Sequence, residues 1–317
     1  SLLFRSYSKG NPYAAYELGK LYETGCGTEK NQEKSENCYR AAFLGFLNLE
    51  KKSKDDTLWY RIGCMYLHGI GTEADETKAE HYLTKASDYG NTHASYQLAR
   101  LYIRQESQKL SGESGTAPDY AKIAKAVKWL EESAAQENPF ADYAIGRLYR
   151  EGTLVVADME KAVFHLKRAA DAGNSYAQYQ LGKIYLEEDN KNIPAAIQYL
   201  TLAAKQKNEF AAYRLGKIYL AGEELPKNTE LALHYLKMAA DTGNQYAQYA
   251  LGKVYLIGKD VQQDKELAYD YFLKSAEQGN IYAAYFLEHW NDMPHPDLFL
   301  MATRLMRHLE HIIEENV

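Results

Sequence analysis

Leu181-Gly182-Lys183-Ile184-Tyr185 decides the fold, because the chain repeats it. The same phrase stands at Leu18-Gly19-Lys20-Leu21-Tyr22, Leu215-Gly216-Lys217-Ile218-Tyr219 and Leu251-Gly252-Lys253-Val254-Tyr255. Looser copies are Ile62-Gly63-Cys64-Met65-Tyr66, Leu98-Ala99-Arg100-Leu101-Tyr102 and Ile145-Gly146-Arg147-Leu148-Tyr149. The small residue falls at 19, 63, 99, 146, 182, 216 and 252, at intervals of 44, 36, 47, 36, 34 and 36. A further 36 residues reach Glu288, within Tyr282-Ala283-Ala284-Tyr285-Phe286-Leu287, which keeps the front of the phrase and loses its Gly. A fixed period of this length signals a repeat architecture.

A second phrase follows each first one by some 20 residues, as in Ala196-x-x-Tyr199-Leu200-x-x-Ala203 and Ala232-x-x-Tyr235-Leu236-x-x-Ala239. Apolar residues three and four apart mark helices with one buried stripe. Each repeat therefore reads as helix A, a Gly-containing turn, helix B and a Gly-Asn break such as Gly173-Asn174 or Gly243-Asn244. Gly suits the left-handed end of one helix, and Asn caps the next. Two short helices cannot bury both stripes alone, so neighbouring pairs must stack. The Gly of helix A and the small residues of helix B let the backbones approach. Leu at −1, a small residue at −4 and Tyr at +3, counted from the crossing Gly, face the core.

The L-G-x-x-Y signature is shared with tetratricopeptide repeats, whose period is 34. The longer usual period here, and endings such as Ala169-Ala170-Asp171-Ala172-Gly173-Asn174, resemble the Sel1-like repeat family along nearly the whole chain. The resemblance implies an all-α, right-handed α/α superhelical solenoid of tetratricopeptide-like hairpins. It also implies an adaptor scaffold with no catalytic residue. Some secreted members carry a disulfide in every repeat, a pattern missing here.

The expected layout is a single repeat domain over 1–317. Residues 1–10 are read as the end of a truncated preceding repeat, because Leu2-Leu3-Phe4 before Gly10-Asn11 matches the end of a later helix B. About seven and a half repeats span 11–290. The 47-residue interval holds a polar, Gly/Ser-rich stretch at 105–119, read as a loop insertion. The 44-residue interval adds residues near 47–54, read as a longer helix B or a linker. After Pro294 and Pro296 a C-terminal helix at 297–317, with one apolar stripe from Leu298 to Ile312, is expected to cap the array, or alternatively to bind a partner.

Composition agrees. The 317 residues include 28 Tyr, and 37 basic against 43 acidic side chains give a net charge of −6. No apolar run approaches the ~20 residues a bilayer needs. Hydrophobic residues at 46% exclude a disordered chain, and the acidic balance argues against a general nucleic-acid coat. Cys26, Cys38 and Cys64 form no pairing or metal pattern and read as buried or half-buried thiols in a reducing, cytoplasmic setting. No nucleotide loop, HExxH or GxSxG motif is present. His165 and His234 read as core-adjacent, and His308 and His311 as an ordinary polar face. Neither a cofactor nor a metal is expected.

The face of helix A opposite the core is the candidate site. Position −3 is aromatic in every unit: Tyr16, Tyr60, Tyr96, Tyr143, Tyr179, Tyr213, Tyr249 and Tyr285. Position −6 adds Tyr13, Phe140, Tyr176, Phe210, Tyr246 and Tyr282. Position +1 is basic in six units, Lys20, Arg100, Arg147, Lys183, Lys217 and Lys253, and Arg61 and Arg214 add charge at −2. By the family resemblance helix A lines the concave side, so these residues form an aromatic and cationic ladder for an extended, acidic peptide or partner surface. A packing role, with Tyr at −3 stacked between adjacent A helices, is equally open. The tail Ala302-Thr303-Arg304-Leu305-Met306-Arg307-His308 also resembles the end of certain mobilisation relaxases of bacterial conjugative elements. That resemblance implies the alternative of an accessory region contacting single-stranded DNA or transfer proteins.

Overall fold

The computed structural model describes residues 2–112 and 117–292. Every regular element among them is helical. Contacts group into two compact units, Ser1–His165 and Leu166–Val317. The first unit contains α1 (Leu2–Tyr7), α2 (Pro12–Thr24), α3 (Gln32–Glu50), α4 (Asp56–His68), α5 (Glu76–Asp88), α6 (Thr92–Ser111), α7 (Tyr120–Ala135) and α8 (Pro139–Glu151). The division falls within α9 (Met159–Asp171). The second unit holds α10 (Ser175–Ile184), α11 (Ile193–Lys205), α12 (Glu209–Ala221), α13 (Thr229–Asp241), α14 (Gln245–Ile257), α15 (Lys265–Glu277) and α16 (Ile281–Glu288). Even-numbered helices from α2 onward are the A helices of the repeat, and odd-numbered ones from α3 onward are the B helices.

Local sequence accounts for the boundaries. Asn174 caps α10 by accepting from Tyr176 N–H and Ala177 N–H, and Asn244 caps α14 by accepting from Ala247 N–H. Gly173 and Gly243 before these caps have φ of 90° and 98°, a conformation that favours glycine. Lys207 occupies the equivalent place before Asn208 with φ of 62°. The α1 helix ends in the same break, with Gly10 at φ 76° and Asn11 capping α2.

The A–B crossing is as close as the repeated Gly implies. A Cβ added at Gly182 would lie 2.5 Å from Leu200 Cγ, and one at Gly216 would lie 2.6 Å from Leu236 Cγ. Leu200, Leu215, Leu236 and Leu251, all fully buried, form one core of the second unit, and Phe272 and Phe286 head the other. The first unit likewise has a core around Phe46, Ile62 and Met65 and another around Leu98, Leu130 and Ile145.

Two details differ from the sequence reading, and a third picks the longer helix B over the linker. First, position −5 lies in the core beside the expected −4: Ala14, Ala94, Ala141, Ala177, Ala211, Ala247 and Ala283 are all buried, as is Leu58 in the second repeat. Positions −5 and −1 are four apart and so share the buried edge. Position −4 is buried as expected at Ala15, Trp59 and Ala212, and it hosts buried polar groups at Asp142, Gln178 and Gln248. Gln178 donates from Nε2 to the Ala170 carbonyl at 3.0 Å and accepts from Gln206 at 2.9 Å. Second, the expected loop at 105–119 is helical up to Ser111, because α6 continues. Glu106, fully buried on that extension, accepts the Asp119 N–H and the Lys109 ammonium, each at 2.8 Å. That burial ties the extension to the start of α7. Third, the extra residues of the 44-residue interval lengthen α3 to 19 residues, where α5, α11, α13 and α15 have 13. The expected capping helix at 297–317 lies outside the described residues.

Gly216→Leu should destabilise the protein by roughly 1–3 kcal/mol or more, read from the urea midpoint, because the side chain has nowhere to go. Lys207→Gly should raise stability by about 0.5–1 kcal/mol in the same assay, since relief of the left-handed backbone outweighs the added chain entropy.

Candidate functional site

The tyrosines divide by position. Tyr at +3 of helix A stacks on the B-helix Tyr of its own hairpin: Tyr219 on Tyr235 at 6.0 Å and 7°, Tyr255 on Tyr271 at 6.0 Å and 4°, and Tyr66 on Tyr82 at 5.9 Å and 13°. These pairs belong to the hairpin interior and rim.

The rings at −3 and −6 follow a different rule: at Tyr60, Tyr179, Tyr213 and Tyr249 the −3 ring meets the −6 ring of the next repeat. In the second unit Tyr179 lies 5.9 Å from Phe210, Tyr213 lies 6.1 Å from Tyr246, and Tyr249 lies 6.1 Å from Tyr282. In the first unit Tyr60 pairs with His93 at 6.0 Å. Such offset arrangements suit the ring quadrupoles. Tyr at −3 therefore does stack between adjacent A helices, and it is half-buried, or buried in the case of Tyr249 at 5% exposure. The −6 rings stand out more, with Phe140 at 59%, Tyr176 at 55% and Tyr246 at 53% exposure.

All six basic +1 residues lie over the −3 ring of their own helix, one turn earlier. Lys20, Arg100, Arg147, Lys183, Lys217 and Lys253 sit 5.9, 5.7, 6.0, 5.8, 5.8 and 5.0 Å from the centroids of Tyr16, Tyr96, Tyr143, Tyr179, Tyr213 and Tyr249. These are cation–π distances. Lys20 also pairs with Glu17 at 3.0 Å, and Arg147 with Glu151 at 2.6 Å. In the last repeat His289 takes the cation's place, 4.3 Å from Tyr285. Arg61 reaches back over the preceding repeat, 5.4 Å from the Tyr13 ring and 5.8 Å from Tyr16, and its buried Nε has no hydrogen-bond partner among the described residues. Arg214, at the same −2 position, lines a small concavity with Lys217, Glu223 and Glu224.

Burial keeps this face's hydroxyls protonated. Tyr16 is raised by burial, against the opposing pull of Lys20 and Arg61. Tyr96 is raised by burial, against Arg100. Burial, helped by the neighbouring Cys64, pushes Tyr60 up to about 12. Such phenols are neutral and able to donate at physiological pH. Burial likewise pushes the Cys64 thiol up to about 11.

Sequence reasoning missed some participants. His93 stands at −6 where an aromatic ring was sought, and its partner Tyr60 was the available signal. Leu220, Ala250, Val254 and Ile257 line a hollow with Tyr213, Tyr246 and Tyr249, for which one helix's periodicity carries no signal. Half-buried His165 lies beside buried Asp142, its Nδ1 2.8 Å from the carboxylate, so the buried carboxylate has a partner inside the hairpin. No group of three or more His, Cys, Asp or Glu among the described residues has a metal-holding arrangement. His308 and His311 lie outside those residues.

The Sel1 repeat family model matches residues 12–44, 60–91, 92–138, 139–174, 175–208, 210–244 and 245–280. The chain belongs to the Sel1 repeat family. It is an all-helical Sel1 repeat scaffold, and its hairpins are solenoid units. Among solved structures it resembles a protective antigen of uropathogenic Escherichia coli with an SLR fold, at TM-score 0.65 and 25% identity over 96% of this chain. The chain spans 61% of the length of that antigen. It also resembles a Sel1 repeat protein from Oxalobacter formigenes, at TM-score 0.63 and 26% identity over 91% of this chain and 79% of that one. No curated protein sequence matches significantly. No helix among the described residues is long and apolar enough to cross a membrane.

The thiols give a check on the burial pattern. Cys26 is exposed, Cys38 is buried, and Cys64 is half-buried with a raised thiol pKa. Because thiolate is the reactive form, Ellman's reagent should titrate about one thiol in the native protein and all three only in guanidinium.

Proposed function

We propose that the chain is a non-catalytic protein-interaction scaffold whose A-helix face binds an extended, acidic peptide or partner surface. The observation that carries this reading is the sixfold recurrence of a cation over the −3 ring, with −6 rings projecting beyond it. Packing accounts for the −3 rings. It does not call for Lys or Arg at +1, nor for large rings left more than half exposed at −6. Held tyrosines offer contact area at low entropy cost, and the cations beside them offer donors to carboxylates. In the second unit the ring pairs recur at 5.9, 6.1 and 6.1 Å, a regular series that suits an extended ligand better than a compact metabolite. A cytoplasmic setting is part of this reading. The competing ligand, single-stranded DNA, would use the same rings as stacking platforms and the same cations for phosphates.

One titration separates these readings. Fluorescence polarisation with a labelled alternating Glu-Asp dodecamer should show saturable binding. Lys183→Glu combined with Lys217→Glu should weaken it about tenfold, with the circular dichroism spectrum unchanged. Equal affinity for the variant removes the ladder from the binding site. Tighter binding of a labelled oligo-dT 12-mer than of the peptide, falling steeply with salt, would favour the DNA reading.

A further inference from the structure

Along most of the A-helix face the rings project, but between α12 and α14 the surface opens into a hollow of about 260 Å³. The small residue at −2 of α14 lies in its lining. Position −2 is Gln180 on α10 and Arg214 on α12, yet it is Ala250 on α14. The small side chain leaves space that its neighbours' counterparts would fill. Leu220, Val254 and Ile257 make the lining apolar, and the Tyr213 and Tyr246 rings, 6.1 Å apart, stand beside it. Ile257 is 37% exposed and Tyr246 is 53% exposed, so apolar surface faces outward here.

The charge around this hollow is uneven. Lys217, Lys253 and Lys259 all border it. The carboxylate in its lining, Asp260, is engaged by Lys227 at 2.6 Å. The lining thus holds three lysines and one aspartate, in a chain whose net charge is −6. The volume is below the ~300–1,000 Å³ of clefts that enclose a whole small-molecule ligand, and it suits one large side chain.

We propose that this hollow is a peptide subsite that takes a single aromatic or large aliphatic side chain flanked on both sides by carboxylates. The inference rests on the peptide-binding reading above and gives it a sequence preference. An acidic peptide without an anchor sets its carboxylates beside the lysines and leaves the apolar lining wet. A neutral peptide with an anchor fills the lining and leaves the lysines unused. The partner that satisfies both has an acidic stretch interrupted by one apolar residue, and it engages the repeats around α12 and α14 more tightly than a uniformly acidic segment does.

Three fluorescein-labelled heptapeptides test the proposal by polarisation: Glu-Asp-Glu-Trp-Glu-Asp-Glu, the same peptide with Gly for Trp, and Gln-Asn-Gln-Trp-Gln-Asn-Gln. The first should bind about tenfold tighter than either other. Ala250→Gln gives α14 the side chain that α10 already carries at this position as Gln180, so it should fold. It should bring the Trp/Gly affinity ratio close to one while acidic peptides still bind. Tyr246→Ala, which removes an exposed ring, should also shrink the ratio, and it serves if Ala250→Gln fails to fold. Equal affinity of the wild-type protein for the Trp and Gly peptides overturns the subsite and leaves the peptide-binding reading standing. An unchanged ratio in folded Ala250→Gln places the anchor elsewhere and also overturns it. Equal affinity for the neutral and acidic Trp peptides overturns the role given to the lysines. Binding of none of the acidic peptides overturns both readings together.

Discussion

Where helix A crosses helix B, a Leu or an aromatic ring of helix B rests on the bare Cα of a glycine in helix A. Gly19, Gly63, Gly182, Gly216 and Gly252 all have B-helix side-chain atoms within 2.8 Å of where a Cβ would stand. Interiors are packed too densely to absorb an extra methyl at such a point. The crossing therefore fixes which edge of helix A is turned inward, with −5 and −1 buried on either side of it. Once that edge is set, the opposite face is set as well. Positions −6, −3 and +1 fall on the other side of helix A, although Tyr13 and Tyr16 also touch Phe46 and Tyr39 of α3, and Tyr249 touches Phe272 of α15.

The display is uniform in plan and varied in detail. In four places ring meets ring from one A helix to the next, and each +1 cation lies over the ring one turn before it. The packing of the −3 ring and the exposure of the −6 ring are thus two parts of one arrangement, and neither role excludes the other. Variation comes from residues that the crossing does not dictate. Ala250 lines a hollow, Arg61 reaches back across two tyrosines, and Cys64 and His289 replace the expected cation. A scaffold of this kind gains selectivity by altering such positions while leaving the crossing alone.

Much of this was legible in the sequence. The glycine spacing gives the hairpin and its register, the Gly-Asn pairs give the helix boundaries, and the 3.6-residue period separates the two faces of helix A. Extension of α6 through Ser111 was not legible, because a polar, Gly/Ser-rich stretch resembles a loop until Glu106 is seen buried against the Asp119 N–H. Nor was the buried role of Gln178 at −4, since its amide is satisfied by residues of two neighbouring elements.

The sequence alone determined the all-helical repeat, the inward edge of each A helix and the recurrence of Tyr and Lys on the other, because these depend on spacing within one chain segment. The tertiary structure decided which rings meet, that every +1 cation covers its own −3 ring, and that Ala250 lines a side-chain-sized hollow. Those facts depend on the distance between neighbouring helices, which the packed crossings set and which no single segment encodes.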